Sequence, residues 1–471
     1  MINSTQETYK HFDQLAKDRE FWLQKNKFYY QDHENYFRFL IPENSRVLEI
    51  GCGLGDLLAA VKPAHGVGID ISSKMIEIAM ERHPELHFKC MDAENFILNE
   101  KFDAIIISDS IGFFPDIQKV FENLRQCCQK HTRIFISYYN FLWEPVLVFG
   151  EKFGFKMPQQ TQNWLTPDDI INLLDLAGFD VVKRERRLIL PVDIPLITSF
   201  CNRFLANIPG IGKLCLSNYI VARMKDPSTK TPDYSVSIVI PARNEKGHIE
   251  SAVTRLPKFG KHQEIIFIDG HSTDGTPEEI RRVIEKFPDK DIKFMVQEGK
   301  GKGDAVRKAF DAATGDILMI LDADLTMPPE DLPKFYNAIS QDKGEFINGC
   351  RMIYPMEDQA MRFLNLLGNK FFAMMFSWLL NQRIRDTLCG TKVLFREDYK
   401  RIVEGRSYFG DFDPFGDFDL LFGASKSNLK IVEMPIRYRE RVYGTTNISR
   451  FSHGWLLLKM TVFAFFKLKA I

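Results

Sequence analysis

Apolar residues in this chain gather in short runs that end on a polar or glycine-rich turn. Val47-Leu48 before Gly51, Ile105-Ile106-Ile107 before Ser108, Ile265 to Ile268 before Asp269 and Ile317 to Leu321 before Asp322 are the clearest. Such runs, flanked by turns, predict core strands of an α/β sheet with the polar residues at their carboxyl ends. The pattern then restarts. A strand, a glycine turn and a helix start fill 46–58, with further strands over 66–70 and 102–108. A polar Pro/Ser/Thr stretch follows at 225–234, without periodicity, and predicts a linker. A second α/β unit opens at Ser235. Ahead of both, residues 1–45 are polar and aromatic, with helical spacing at Tyr29, Tyr30, Tyr36, Phe37 and Phe39, and predict a helical cap over the first site.

Two late segments, 363–380 and 455–466, are apolar on nearly every face. As a helix, the second spans about 18 Å, short of a hydrocarbon core of about 30 Å. It is expected to lie in a membrane interface, Trp and Phe down and Lys up; core helices beneath the sheet are the alternative for both. Residues 191–217, rich in Pro, Leu and Phe, suit a lid, an inter-domain contact or a membrane-facing hairpin.

At 471 residues the chain has room for two or three domains. Lys plus Arg equal Asp plus Glu at 62 each, so no overall field draws it to nucleic acid. The 8 cysteines include no C-x-x-C pair and no leader precedes them, which implies structural thiols in a reducing cytosol.

In the first half, Gly51, Gly53 and Gly55 allow positive φ and close approach of backbone to a ligand. The spacing is Glu-x-Gly-x-Gly-x-Gly, with Glu49 inside the strand, and not the Gly-x-Gly-x-x-Gly of a pyrophosphate turn. Asp70 ends the next strand, placed for two ribose hydroxyls; Asp92, beside Ala93, ends a third and can face an adenine amine. Asp109 and Ser110 follow the fourth at the cleft. On these residues, 46–224 resembles a class I S-adenosylmethionine-dependent methyltransferase. The resemblance implies a Rossmann-like sheet closed by strands at 179–190 and 219–223, with S-adenosylmethionine as cofactor and Glu49, Gly51, Gly53, Gly55, Asp70, Asp92 and Ala93 around it. It implies no shared catalytic base and no methyl acceptor.

In the second half, Asp322-Ala-Asp324 closes a buried apolar run. Extended backbone would point both carboxylates to one side, where Mg²⁺ takes one or two carboxylates plus substrate phosphates. Lys300-Gly-Lys302-Gly opens a helix that carries Arg307, a place for diphosphate oxygens. With Pro241, Asn244, Glu245 and Asp269 upstream, this order resembles a family 2 glycosyltransferase of the GT-A fold over 235–453. Further motifs, 385–396 and 441–449, resemble its dolichyl- and polyprenyl-phosphate sugar synthase branch. The resemblance implies that Pro241, Asn244, Glu245 and Asp269 line the nucleotide pocket and that Asp322 and Asp324 carry Mg²⁺ or Mn²⁺. It implies a UDP- or GDP-sugar donor and a polyprenyl phosphate acceptor, with Lys392, Arg396, Arg437, Arg439 and Arg441 as candidate phosphate-binding cations. Gly270 stands where the family has a second acid.

The expectation is therefore a two-domain enzyme with cap 1–45, linker 225–234 and an amphipathic helix over 454–471, peripheral on the cytoplasmic face of a membrane. It would transfer a sugar to a polyprenyl phosphate with inversion. The competing expectation is transfer to a sugar hydroxyl, with Asp417 or Asp419 as base and the first half a binding module or scaffold only.

Overall fold

The computed structural model describes residues 5–160, 162–225, 232–353, 363–409, 418–439 and 450–470. The chain divides into two compact units, Met1–Pro227 with Lys469–Ile471, and Ser228–Leu468.

The first unit opens with two helices, Thr5–Lys25 and Lys27–Leu40, the second of which buries Tyr29, His33, Tyr36, Phe37 and Leu40. Seven strands follow: β1 (Arg46–Ile50), β2 (His65–Asp70), β3 (His87–Cys90), β4 (Ala104–Ser108), β5 (Arg133–Tyr139), β6 (Phe179–Arg187) and β7 (Ser217–Met224). They order β3-β2-β1-β4-β5-β7-β6, parallel from β3 to β5, with β7 antiparallel to both its neighbours. Strands β1 and β4 are apolar on both faces because helices cover both, and Leu48, Ile50, Ile105 and Ile107 are fully buried.

The second unit repeats the plan with β8 (Ser235–Ala242), β9 (His262–Asp269), β10 (Asp291–Val296), β11 (Ile317–Ile320), β12 (Phe346–Cys350), β13 (Lys392–Phe395) and β14 (Ile431–Pro435). Their order is β10-β9-β8-β11-β13-β12-β14. Strand β13 runs antiparallel to β11 and β12, while β14 lies parallel to β12. In each sheet the order reverses beside the first strand, at β1/β4 and at β8/β11, where open α/β sheets form a crevice at the carboxyl ends. The fold class is thus α/β twice over: a Rossmann-like methyltransferase-type sheet and a GT-A-type sheet.

Both late apolar segments are helical, Phe363–Leu380 and Arg450–Leu468. The last helix begins ahead of the expected 454 and is two-faced. Leu457, Met460 and Ala464 are buried, while Trp455, Leu458, Val462 and Phe466 are exposed. Trp378 stacks on Phe465, joining the two helices. Among the described residues no helix is long and apolar enough to cross a membrane.

Candidate active sites

Gly51, Gly53 and Gly55 all take positive φ, at 73°, 53° and 79°. A Cβ on Gly51 would lie 2.8 Å from that of Ser110, and one on Gly55 2.5 Å from the Phe88 ring; at Gly53 nothing lies within 4 Å. The Gly53 N–H donates to Asp70 Oδ2 and the Ser72 N–H to Oδ1, both at 2.9 Å. Each carboxylate oxygen so held keeps acceptor capacity for a hydroxyl. Burial raises the Asp70 pKa; the two N–H groups and Arg19 oppose it without reversing it.

A cavity of about 130 Å³ runs past this turn. Gly51, Gly53, Asp70, Asp92 and Ala93 line it together with Ser108, Asp109, Ser110 and Tyr139, and Thr8, Phe12, Arg19 and Tyr30 of the first two helices close it. Glu49 and Gly55 do not line it. Glu49 is buried in β1, and burial, reinforced by Asp56 and Asp70, pushes its carboxyl well above the usual range. Asp109 has a φ of 51°. Its carboxylate accepts from the Tyr29 hydroxyl and, at 3.2 Å, from Ser137. Behind it His33 bridges Tyr219, at 2.8 Å, and Ser108, at 2.7 Å, with its pKa lowered by burial. Three carboxylates, Asp70, Asp92 and Asp109, thus face one lining cation, Arg19. That donor set fits a positively charged adenosyl sulfonium. Arg19 and Tyr30 lie far in sequence from the glycine turn; only the Thr8, Phe12, Arg19 spacing on one helix face signals them.

In the second unit the residues after β8 form a tight turn. Asn244 has a φ of 58°, its N–H donates to Ser272 Oγ at 2.8 Å, and its Oδ1 accepts from the Thr273 N–H at 2.8 Å. The Glu245 N–H donates to Thr276 at 3.0 Å, and Pro241 closes the ladder with β9. Asp269 is 2% exposed; its Oδ2 accepts from the Ser272 N–H at 3.1 Å, whereas Oδ1 is buried without a hydrogen-bond partner among the described residues.

Asp322 and Asp324 do not share a side by strand alternation, because β11 ends at Ile320 and a turn with Leu325 at φ 53° carries them. Asp322 Oδ1 meets Lys302 Nζ at 2.6 Å. Burial works to raise the Asp322 pKa, and Lys302, with Lys392 and Arg351 behind it, holds it below the carboxylate range. Gly390 is obligatory here: a Cβ would lie 1.9 Å from Asp322 Oδ2. Asp324 Oδ1 accepts from the Thr326 N–H and hydroxyl at 3.1 and 2.8 Å. The Arg439 N–H donates to the Thr326 carbonyl at 2.9 Å, which brings the exposed Arg437 and Arg439 segment beside this loop. Among the described residues no three His, Cys, Asp or Glu side chains cluster as a metal site.

Other expected residues are placed differently. Lys392 is fully buried, donating to Asn348 Oδ1 at 3.1 Å and to the Cys389 carbonyl, so it supports the site from beneath. Arg396 lies at the opposite end of β11, its N–H on the Asp316 carbonyl at 2.9 Å, because β13 runs antiparallel. Asp419 accepts from Arg307 Nε at 3.1 Å and Arg406 Nε at 2.9 Å. Lys300, in the turn before the helix Lys302–Ala312, is exposed. Asp417 and Arg441 lie outside the described residues. Sequence reading also missed the Arg351–Asp386 pair, bidentate at 2.7 Å, in which Asp386 is fully buried.

A family model described as Methyltransferase domain matches residues 22–184, and one described as Glycosyl transferase family 2 matches 237–403. The chain is 30% identical over 216 residues to a dolichol-phosphate mannosyltransferase of Pyrococcus furiosus, covering 45% of this chain and 59% of that protein. It is 29% identical over 228 residues to a dolichyl-phosphate hexose transferase of Haloferax volcanii, covering 48% and 92%. Among solved structures, an S-adenosylmethionine-dependent methyltransferase of Thermotoga maritima is 20% identical, with a TM-score of 0.38 over 46% of this chain and 99% of that one.

Proposed function

From a chain that carries a methyltransferase domain followed by a family 2 glycosyltransferase domain, we propose a bifunctional enzyme acting at a membrane surface. Its second unit transfers a sugar from a UDP- or GDP-sugar to a polyprenyl phosphate, and its first unit uses S-adenosylmethionine to methylate an acceptor.

The observation that carries the glycosyl reading is the charge arrangement at the ends of β8, β9 and β11. Asp269 offers a buried acceptor oxygen to a nucleoside, Lys302 lies on Asp322, and Arg437 and Arg439 stand beside the Asp324 loop. Two carboxylates with a substrate diphosphate suit Mg²⁺ or Mn²⁺. Asp322 and Asp324 would hold that ion, which would offset charge on the departing nucleoside diphosphate. Lys302 and the start of its helix face the same phosphates. A phosphate monoester needs no general base to attack with inversion; it needs cations that relieve repulsion from the donor, and planar guanidinium groups suit its oxygens. The competing base, Asp419, already accepts from two arginines, which disfavours a hydroxyl acceptor. The apolar exposed face of Arg450–Leu468, with Lys459 beside Trp455, suits an interface that holds an isoprenoid chain.

Purified protein would be assayed with radiolabelled nucleotide sugars against a polyprenyl phosphate, the matching polyprenol and free sugars, with and without EDTA. Label should enter the polyprenyl phosphate product alone and only with metal. Product on a hydroxyl acceptor, or undiminished transfer in EDTA, counts against the respective half of the reading.

A further inference from the structure

The exposed large hydrophobic side chains are not scattered. Of the 28 among the described residues, 15 fall between Phe141 and Leu214 of the first unit, apart from Leu176 of a separate helix. They occupy two segments, 141–155 and 192–214, which hydrogen bonds join. Asn140 Nδ2 donates to the Lys213 and Cys215 carbonyls, both at 2.8 Å, and Trp143 Nε1 to the Leu214 carbonyl at 2.8 Å. Tyr139, Met157 and Gln159, flanking the first segment, line the cofactor cavity, so this surface borders the cavity rim.

The second segment is built inside out. Its polar side chains face inward and hold the backbone: Thr198 donates to the Val192 carbonyl at 2.6 Å and accepts from the Ile194 N–H at 2.9 Å, and Asn202 Oδ1 accepts the N–H groups of Ile189 and Leu190. Its apolar side chains face outward. Thr198 is 2% exposed, Leu196 88% and Phe200 55%. A loop fixed in this way does not hide its leucines and phenylalanines by collapsing, and an apolar patch this large marks a surface that meets an apolar phase.

Charge selects the phase. Residues 194–216 contain Arg203 and Lys213, both exposed, and no Asp or Glu. A two-fold pairing of copies sets the same patch against itself, opposing these cations to each other with no acid in the segment to relieve them. A bilayer surface carrying anionic phosphates accepts both the apolar tips and the cations. We propose that residues 141–155 and 192–214 seat the first unit on an anionic lipid surface, with the rim of its cavity at headgroup level. This surface is separate from the helix Arg450–Leu468 and does not rest on the glycosyl reading.

The test uses the full chain with vesicles of phosphatidylethanolamine and phosphatidylglycerol, by cosedimentation and by backbone hydrogen exchange. Vesicles should slow exchange across 192–214, and should still do so when Trp455→Glu and Phe466→Glu disable the other face. Leu196→Glu with Phe200→Glu should lower vesicle partition by about tenfold, with S-adenosylhomocysteine affinity unchanged as a check on folding. If that variant loses the nucleoside, Leu196→Asn with Phe200→Asn replaces it. Exchange across 192–214 that ignores bound vesicles overturns the proposal, as does failure of the full chain to bind them. So does a dimer in solution that Leu196→Glu with Phe200→Glu dissociates, because the surface then belongs to a second copy.

Discussion

The crevice of the first unit gathers Asp70, Asp92 and Asp109 around one lining cation, Arg19. In the second unit Asp322, Asp386 and Asp419 each meet a cation of the protein's own: Lys302, Arg351, and Arg307 with Arg406. The difference follows the ligands each site is proposed to take. A sulfonium cofactor brings positive charge, so its cavity can leave carboxylates uncompensated and shape itself by glycines and a helical cover. A nucleoside diphosphate brings negative charge, so its site must carry cations, and those cations keep buried acids ionised. Similar sheets thus carry opposite electrostatic arrangements at their crevices.

The strongest way to break that comparison is to remove a cation. Arg351→Ala leaves Asp386 charged in the core, and unpairing a buried ion pair costs about 3–5 kcal/mol. Urea unfolding should show the second unit alone destabilised; a loss below 1 kcal/mol would mean that Asp386 does not depend on its partner. Asp324→Ala comes next, with glycosyl transfer expected to fall on the order of 10²–10³-fold, while S-adenosylmethionine affinity in calorimetry stays put. The matching change in the first unit, Asp70→Ala, should cost the cofactor about 1.5–3 kcal/mol and leave glycosyl transfer intact. Equal affinity for the two proteins would remove Asp70 from the site.

What the sequence made legible was local. A glycine turn, the acid at the end of the next strand and an apolar run closing on Asp-x-Asp are contiguous, and Gly51, Gly53 and Asp70 do meet at one cavity. What it hid depends on chain reversal or distant pairing. Arg396 looked like part of the phosphate site because it follows Lys392 closely, yet β13 runs antiparallel to β11 and carries it to the far end. Asp419 looked like an available acid, but one of its arginines lies 112 residues away. Arg19 sits on a helix whose only local signal is amphipathic spacing. Strands β12 and β14 were not anticipated, and they extend the sheet beyond β13 at the edge.

The smallest expected effect concerns the start of the second unit, where the same logic applies at the surface. Asp316 Oδ2 accepts the Ser235 N–H at 2.9 Å and hydroxyl at 2.7 Å, and pairs with Lys261 at 3.0 Å. Burial works to raise its pKa, but Ser235 and Lys261 outweigh it and hold the carboxyl down to about 2. An unfolded Asp titrates near 3.9, so the folded state binds this proton less readily than the unfolded one. The contribution is therefore present above about pH 4 and lost as the pH falls through about 2. The carboxylate and Lys261 are both partly open to solvent, so screening limits the ion-pair part to about 1 kcal/mol or less. Asp316→Asn should lower the stability of the second unit at neutral pH, and the gap should close as the pH approaches 2. Hydrogen exchange across 235–242, compared for both proteins at several pH values, reads that gap directly. A gap that stays constant with pH would assign the loss to the Ser235 hydrogen bonds and remove the charge on Asp316 from the account.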